Sequence, residues 1–201
     1  MKTEDKKLKI GIFGATFDPP HSAHLIAAEY AVSELKLNKV LMIPANVNPL
    51  KKQRKPTPPD IRLQMIQAAV NGYPQFEVND VELKRGGVSY MIDTVLDLRE
   101  NYPPAEAELY LLLGADAAEE FHLWRSHRQL AEICRLVVFN RPQYNLQTIL
   151  KKLTVPALPL NIPAFDISST AIRRRIREGK PVDFLAPVEV LKIIQKENLY
   201  R

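Results

Sequence analysis

Gly11-Ile12-Phe13-Gly14-Ala15-Thr16-Phe17-Asp18-Pro19-Pro20-His21-Ser22-Ala23-His24 is an apolar run that breaks into small and turn-forming residues and then into a helical pattern. It predicts a buried strand over 8–13, a turn at Gly14-Ala15-Thr16 and a helix over 22–35. That order brings main-chain N–H groups and the positive end of a helix to one spot, which suits a phosphate. His21 and His24 are three apart, so both imidazoles fall on one face of the first helical turn and can address a single phosphoryl group. Thr16 and Asp18 read equally well as turn formers or caps.

Working outward, strand and helix alternate. Strands are expected near 8–13, 39–43, 76–78, 109–113 and 136–139, and helices over 22–35, 58–71, 91–101, part of 117–134, 169–178 and 187–197. The alternation predicts an α/β fold: a Rossmann-like, doubly wound parallel sheet with helices on both faces. One domain is expected over 1–201, with the C-terminal helical part, 168–201, packed on it. In such sheets the ligand lies outside the carboxyl ends of the strands, where the segments after Phe13, Ile43, Leu113 and Phe139 gather.

Composition fits a globular domain of this build. With 201 residues, 46% of them hydrophobic, the chain can bury a full core. The single cysteine, Cys134, excludes an internal disulfide and suits a reducing cytoplasm. The charged start, 1–9, is expected to be neither a leader nor a membrane span. A net charge of +5 raises nucleic acid as a partner, but most bases alternate with acids, as in Glu82-Leu83-Lys84-Arg85. The two basic concentrations, Lys51-Lys52-Gln53-Arg54-Lys55 and Arg173-Arg174-Arg175 with Arg177, lack the aromatics of a single-strand platform. Neither nucleic acid nor membrane is therefore expected as a partner.

Further candidates stand at the carboxyl ends. Pro44-Ala45-Asn46-Val47-Asn48-Pro49-Leu50-Lys51-Lys52 is a long polar connection whose Lys51 can neutralise phosphate or be a solvated loop lysine. In Gly87-Val88-Ser89-Tyr90-Met91-Ile92-Asp93-Thr94, Ser89 is the expected N-cap and Asp93 opposes the helix dipole. Leu111-Leu112-Leu113-Gly114-Ala115-Asp116 ends a strand on small residues and a carboxylate suited to ribose hydroxyls, or to capping the next helix. Ile167-Ser168-Ser169-Thr170-Ala171-Ile172-Arg173 puts hydroxyls and free N–H groups at a helix start with an arginine one turn inside, a second anion site or an N-cap.

These strings carry a family resemblance over nearly the whole chain. GATFDPPHSAHL resembles the T/HxGH signature of the nucleotidylyltransferases, in the form found in bacterial nicotinate-mononucleotide adenylyltransferases. Asn48-Pro49-Leu50-Lys51 is similar to that family's Pro-Pro-His-Lys loop, Ser89-Tyr90-Met91 to its Ser-Tyr-Thr segment, Gly114, Asp116, Phe121 and Trp124 to its Gly-x-Asp with Phe and Trp, and 167–173 to its ISSTxIR string. Ala15, Ala23 and Leu50 depart from the pattern. Ala15 in a positive-φ turn is expected to be strained, and Ala23 to add a methyl group near the nucleotide.

The resemblance implies transfer of AMP from ATP to nicotinate mononucleotide, giving deamido-NAD and pyrophosphate in NAD biosynthesis. It implies charge stabilisation by His21, His24, Thr16 and Arg173, and ATP contacts at Gly14, Ala15, Phe17, Ser168, Ser169 and Lys51. Mononucleotide contacts are implied at Asp18, Ser89, Tyr90, Met91, Gly114, Asp116 and Trp124, whose ring would stack on the pyridine. Arg174, Arg175 and Arg177 are expected at the surface. Mg2+ is expected to arrive with ATP, since the chain shows no carboxylate cage or zinc spacing. Three alternatives stay open: a sister enzyme acting on nicotinamide mononucleotide, one acting on phosphopantetheine, and a nucleotide-binding regulatory protein that has lost catalysis. A homo-oligomer is also open.

Overall fold

The computed structural model describes residues 7–50 and 55–201. Six strands, β1 (Leu8–Ala15), β2 (Lys39–Pro44), β3 (Phe76–Val78), β4 (Ala107–Gly114), β5 (Arg135–Phe139) and β6 (Ala157–Leu160), form one parallel sheet in the order β3-β2-β1-β4-β5-β6. The order reverses between β1 and β4, so a crevice opens there at the carboxyl ends. The helices are α1 (Ser22–Leu35), α2 (Pro59–Val70), α3 (Val81–Arg85), α4 (Met91–Asn101), α5 (Ala115–Glu119), α6 (His127–Ile133), α7 (Leu146–Lys152), α8 (Ser169–Arg177) and α9 (Val188–Lys196).

Both faces of the sheet are covered, which is why the central strands are nearly continuous apolar runs. Successive side chains of a strand point to opposite faces. On one face Phe13, Val40, Met42, Tyr110 and Leu112 pack with α1 and α2 through Ala27, Ala28, Ala31, Met65 and Ile66. Ile172 of α8 and Val190 and Ile194 of α9 join the same cluster. On the other, Ile10, Ile12, Leu41, Leu109, Leu111 and Val138 meet Ile92 and Val95 of α4, Leu130 of α6 and Ile149 of α7. A Cβ on Gly11 would stand 2.9 Å from both Leu37 and Val40 side chains, so a larger residue there would have to push them aside.

Three expectations change. β6 and the short α3 and α7 are additional elements, and 117–134 breaks into α5, a 3-10 turn over Phe121–Leu123 and α6. The turn after β1 is displaced: β1 runs on through Ala15, paired with Pro44, and the left-handed residue is Phe17 at φ 49°. Ala15 therefore carries no positive-φ strain. Ser89 does not cap α4, because Tyr90 is its N-cap residue.

Candidate active site

The loop from β1 to α1 is the floor of the site. His21 is the extended N-cap residue of α1; its N–H donates to Nδ1 of His24 at 3.2 Å, and the two rings stack with centroids 3.6 Å apart. Phe13 and Phe17 pack edge-on against the His24 ring, with centroids 5.8 and 5.0 Å from it. The aromatic floor holds the His24 ring, on which the His21 ring stacks; His21 is 2% exposed and His24 7%. The Phe17 ring is buried in this floor, so what Phe17 offers a ligand is main chain. Thr16 Oγ1 has no hydrogen-bond partner among the described residues.

The second helix start closes onto this loop from 150 residues away. Ser168 caps α8, its hydroxyl accepting from the Ala171 N–H at 3.2 Å. The Ser169 hydroxyl donates to the Pro19 carbonyl at 2.8 Å, and Arg173 Nη1 donates to the Asp18 carbonyl at 2.7 Å. Two helix N-termini, two histidines and an arginine thus converge where a chain of phosphates can lie. Arg174 and Arg177 are exposed as expected, whereas Arg175 is half-buried and donates to the Pro181 carbonyl.

Arg62, which sequence reading missed, holds these loops from behind. Its side chain is 0% exposed; Nε donates to the Thr57 carbonyl at 2.9 Å, Nη1 to those of Thr16 at 2.9 Å and Ala45 at 2.5 Å, and Nη2 to that of Asn46 at 3.2 Å. Burial draws the guanidinium below its ordinary pKa, and the nearby Asp18 charge opposes that shift. A signal was present: Arg62 shares the spacing of Met65, Ile66 and Ala69, a cation on the apolar stripe of α2. Asp18 is 2% exposed, its carboxylate accepting from the Tyr200 hydroxyl at 2.6 Å and the Thr57 N–H at 3.3 Å.

The other half of the crevice is built differently. Ser89 Oγ accepts from the Asn46 N–H at 2.8 Å, its N–H donates to the Val47 carbonyl at 2.9 Å, and Asn46 Nδ2 donates to the Gly87 carbonyl at 2.8 Å. These bonds stitch the loop after β2 to the start of α4. Below them Glu82, 2% exposed, accepts from Thr94 Oγ1 at 2.7 Å; burial raises its pKa. Met91 abuts Gly14, where a Cβ would strike the methionine methyl. The Arg125 guanidinium sits 4.9 Å from the centre of the Tyr90 ring and 3.5 Å from Asp93.

Asp116 is exposed and lies 3.7 Å from Arg141; its side chain occupies the space a Cβ on Gly114 would need. Trp124 is half-buried against Phe121, with Nε1 lacking an acceptor among the described residues. Lys51 lies outside the described residues. The adjoining Leu50 is exposed, its N–H donating to Asn48 Oδ1. Among the described residues no three His, Cys, Asp or Glu side chains group to hold a metal ion, and no helix is long and apolar enough to cross a membrane.

Residues 12–175 match the model of the cytidylyltransferase-like family. A probable nicotinate-nucleotide adenylyltransferase of Desulfitobacterium hafniense (strain Y51) is 41% identical over 200 residues, covering 96% of both chains. The chain belongs to the nicotinate-nucleotide adenylyltransferase family. A family member of the same name from Clostridium tetani is 37% identical, over 96% of this chain and 99% of its own. The fold is also that of a Plasmodium falciparum nicotinic acid mononucleotide adenylyltransferase complexed with NaAD, with a TM-score of 0.81 at 19% identity over 96% of this chain and 97% of that one.

Proposed function

We propose that the protein transfers the adenylyl group of ATP to nicotinate mononucleotide, releasing pyrophosphate and giving deamido-NAD in NAD biosynthesis. The observation that carries this reading is the junction of the two helix starts, Ser169 on Pro19 and Arg173 on Asp18, beside the stacked His21 and His24. The names of the relatives support the choice of substrates.

An oxygen of the mononucleotide 5′-phosphate attacks the α-phosphorus of ATP. The bond from that phosphorus to the bridging oxygen breaks, and its electron pair leaves with pyrophosphate. The attacking phosphate is already anionic, so no protein nucleophile is required, and rate comes from alignment and charge stabilisation. In this reading His21, His24, Thr16 and Arg173 stabilise the transferring group. Gly14, Ala15, the main chain of Phe17, Ser168, Ser169 and Lys51 line the ATP side. ATP would be taken as its magnesium complex, whose Mg2+ would offset phosphate charge there.

On the acceptor side Ser89, Tyr90, Met91, Gly114 and Asp116 border the mononucleotide, and Trp124 stacks on its pyridine. Main-chain N–H groups near Tyr90 favour a carboxylate over its amide through charge-assisted bonds. Asp18 contributes by holding the loop, since its carboxylate is occupied by Tyr200 and Thr57. The chain forms one domain in which α8 and α9 complete the packing of one sheet face, and the free, buried Cys134 suits the cytoplasm.

The test is pyrophosphate release from MgATP with nicotinate mononucleotide, nicotinamide mononucleotide or phosphopantetheine in parallel, with product masses. Rapid release with the nicotinate substrate alone is expected. Silence with all three from folded, ATP-binding protein would overturn the reading.

A further inference from the structure

The C-terminal tail, outside every nucleotide motif, reaches the phosphate loop through one side chain. After α9 the backbone turns through Asn198 at φ 49° and Tyr200 at φ 66°, a left-handed conformation that a bulky aromatic residue seldom adopts. Such a conformation persists only where surrounding contacts fix it, and it is a mark of functional positions. Here it delivers the Tyr200 hydroxyl to Asp18 Oδ1 at 2.6 Å, with Thr57 Oγ1 at 3.4 Å from the same hydroxyl. Burial next to Asp18 holds that hydroxyl above its ordinary pKa, in keeping with a protonated donor facing a carboxylate.

Asp18 is the hub of this contact. Its carboxylate takes Tyr200 and the Thr57 N–H, while its carbonyl takes Nη1 of Arg173. It lies between Thr16, whose carbonyl is held by Arg62, and the histidine pair. Tyr200 also lines, with Lys55, Thr57, Arg173 and Arg177, a basic cavity of about 290 Å3 beside the junction of the two helix starts. The tail therefore bears on both the loop and the arginine that the phosphates would meet.

We propose that Tyr200 is a positioning residue for adenylyl transfer: it fixes the Asp18 carboxylate and, through Asp18, the phosphate loop and Arg173. Without its hydroxyl, a buried carboxylate oxygen loses its short charge-assisted bond and turns toward another donor, moving the loop with it. The proposal rests on adenylyl transfer as the reaction. Wild-type protein assayed alongside separates the two: a silent wild type refutes the reaction, whereas an active wild type leaves the role of Tyr200 to be decided by its variants.

In the full chain, Tyr200→Phe should lower kcat about tenfold, the loss expected from one hydrogen bond to a charged group, while the KM for nicotinate mononucleotide stays within about twofold. In an Asp18→Asn background the same change should cost less than about twofold, because residues that act as a unit are not additive. Unchanged kcat in folded Tyr200→Phe, or a full further tenfold loss in the Asp18→Asn background, would overturn the proposal. If Tyr200→Phe does not fold, Asp18→Asn alone decides: lower kcat with the mononucleotide KM retained supports it, and wild-type kinetics overturn it.

Discussion

The two halves of the crevice differ in how firmly they are built. Around His21, His24 and Asp18 the polar groups are buried, with Arg173 half-buried beside them, and bonds of 2.5–3.3 Å join segments up to 182 residues apart. Around Asp116, Tyr90 and Trp124 the side chains are half-buried or exposed, and the ion pairs are long, 3.7 Å for Arg141 with Asp116 and 3.5 Å for Arg125 with Asp93. The first half is preorganised, the condition under which fixed dipoles and charges lower a barrier without rearranging. In the second half the framework of Ser89, Asn46, Glu82 and Thr94 is tied by bonds of 2.7–2.8 Å, while Asp116, Tyr90 and Trp124, which would meet the ligand, are held less tightly. Rate should therefore reside in the first half and selectivity in the second.

His24→Ala attacks that division most directly. Loss of an imidazole held on an aromatic floor should reduce kcat about a thousandfold, some 4 kcal/mol, with the fold kept. Rates near wild type in a steady-state assay would remove the histidine from the chemistry. Arg62→Met strips the donor from four buried or half-buried carbonyls and should destabilise the protein by about 3 kcal/mol in a denaturant titration, with kcat falling in the folded fraction. Lower stability with unchanged kcat would show that Arg62 supports the fold and not the loops' alignment.

Trp124→Ala should act on the other half alone. The KM for the mononucleotide should rise about tenfold, with kcat and the KM for MgATP little changed. If the variant instead unfolds while its folded fraction keeps wild-type affinity, Trp124 is core. The smallest effect is expected at Glu82. Its folded-state pKa is raised by burial, so its stabilising contribution is present below the ordinary carboxylate pKa and is lost as pH rises through the folded value. Glu82→Gln should therefore melt above wild type near neutral pH, with the difference fading in acid. A gap that stays constant across a melting series in pH would exclude this titration as its cause.

The contrast between the halves also explains what was legible in the sequence. β1, β2, β4 and β5 announce themselves because a parallel sheet buried on both faces demands uninterrupted apolar runs. β6 does not, since Pro159 interrupts Ala157–Leu160, and α3 and α7 are too short to show a period. The motif residues at helix starts were readable because their job is local: His21 and His24 share a turn, and Ser168 caps its own helix. Arg62, Asn46 and Tyr200 act on main chain or carboxylates far away in sequence, and no local pattern encodes such a partner. Ser89 shows the same limit, its hydroxyl serving Asn46 instead of the helix beside it.

Pro159 has a consequence beyond legibility. It lies in the outermost strand, paired with Val138 on one side only. An unprotected edge of a sheet is a template on which another chain can add a strand, the first step toward aggregates and fibrils. Proline is tolerated where its missing N–H faces outward, so an incoming strand finds no donor at that point. At the opposite margin β3 spans only three residues, too short to guide a long addition. Both margins of the sheet that carries the crevice are thereby poor templates for added strands.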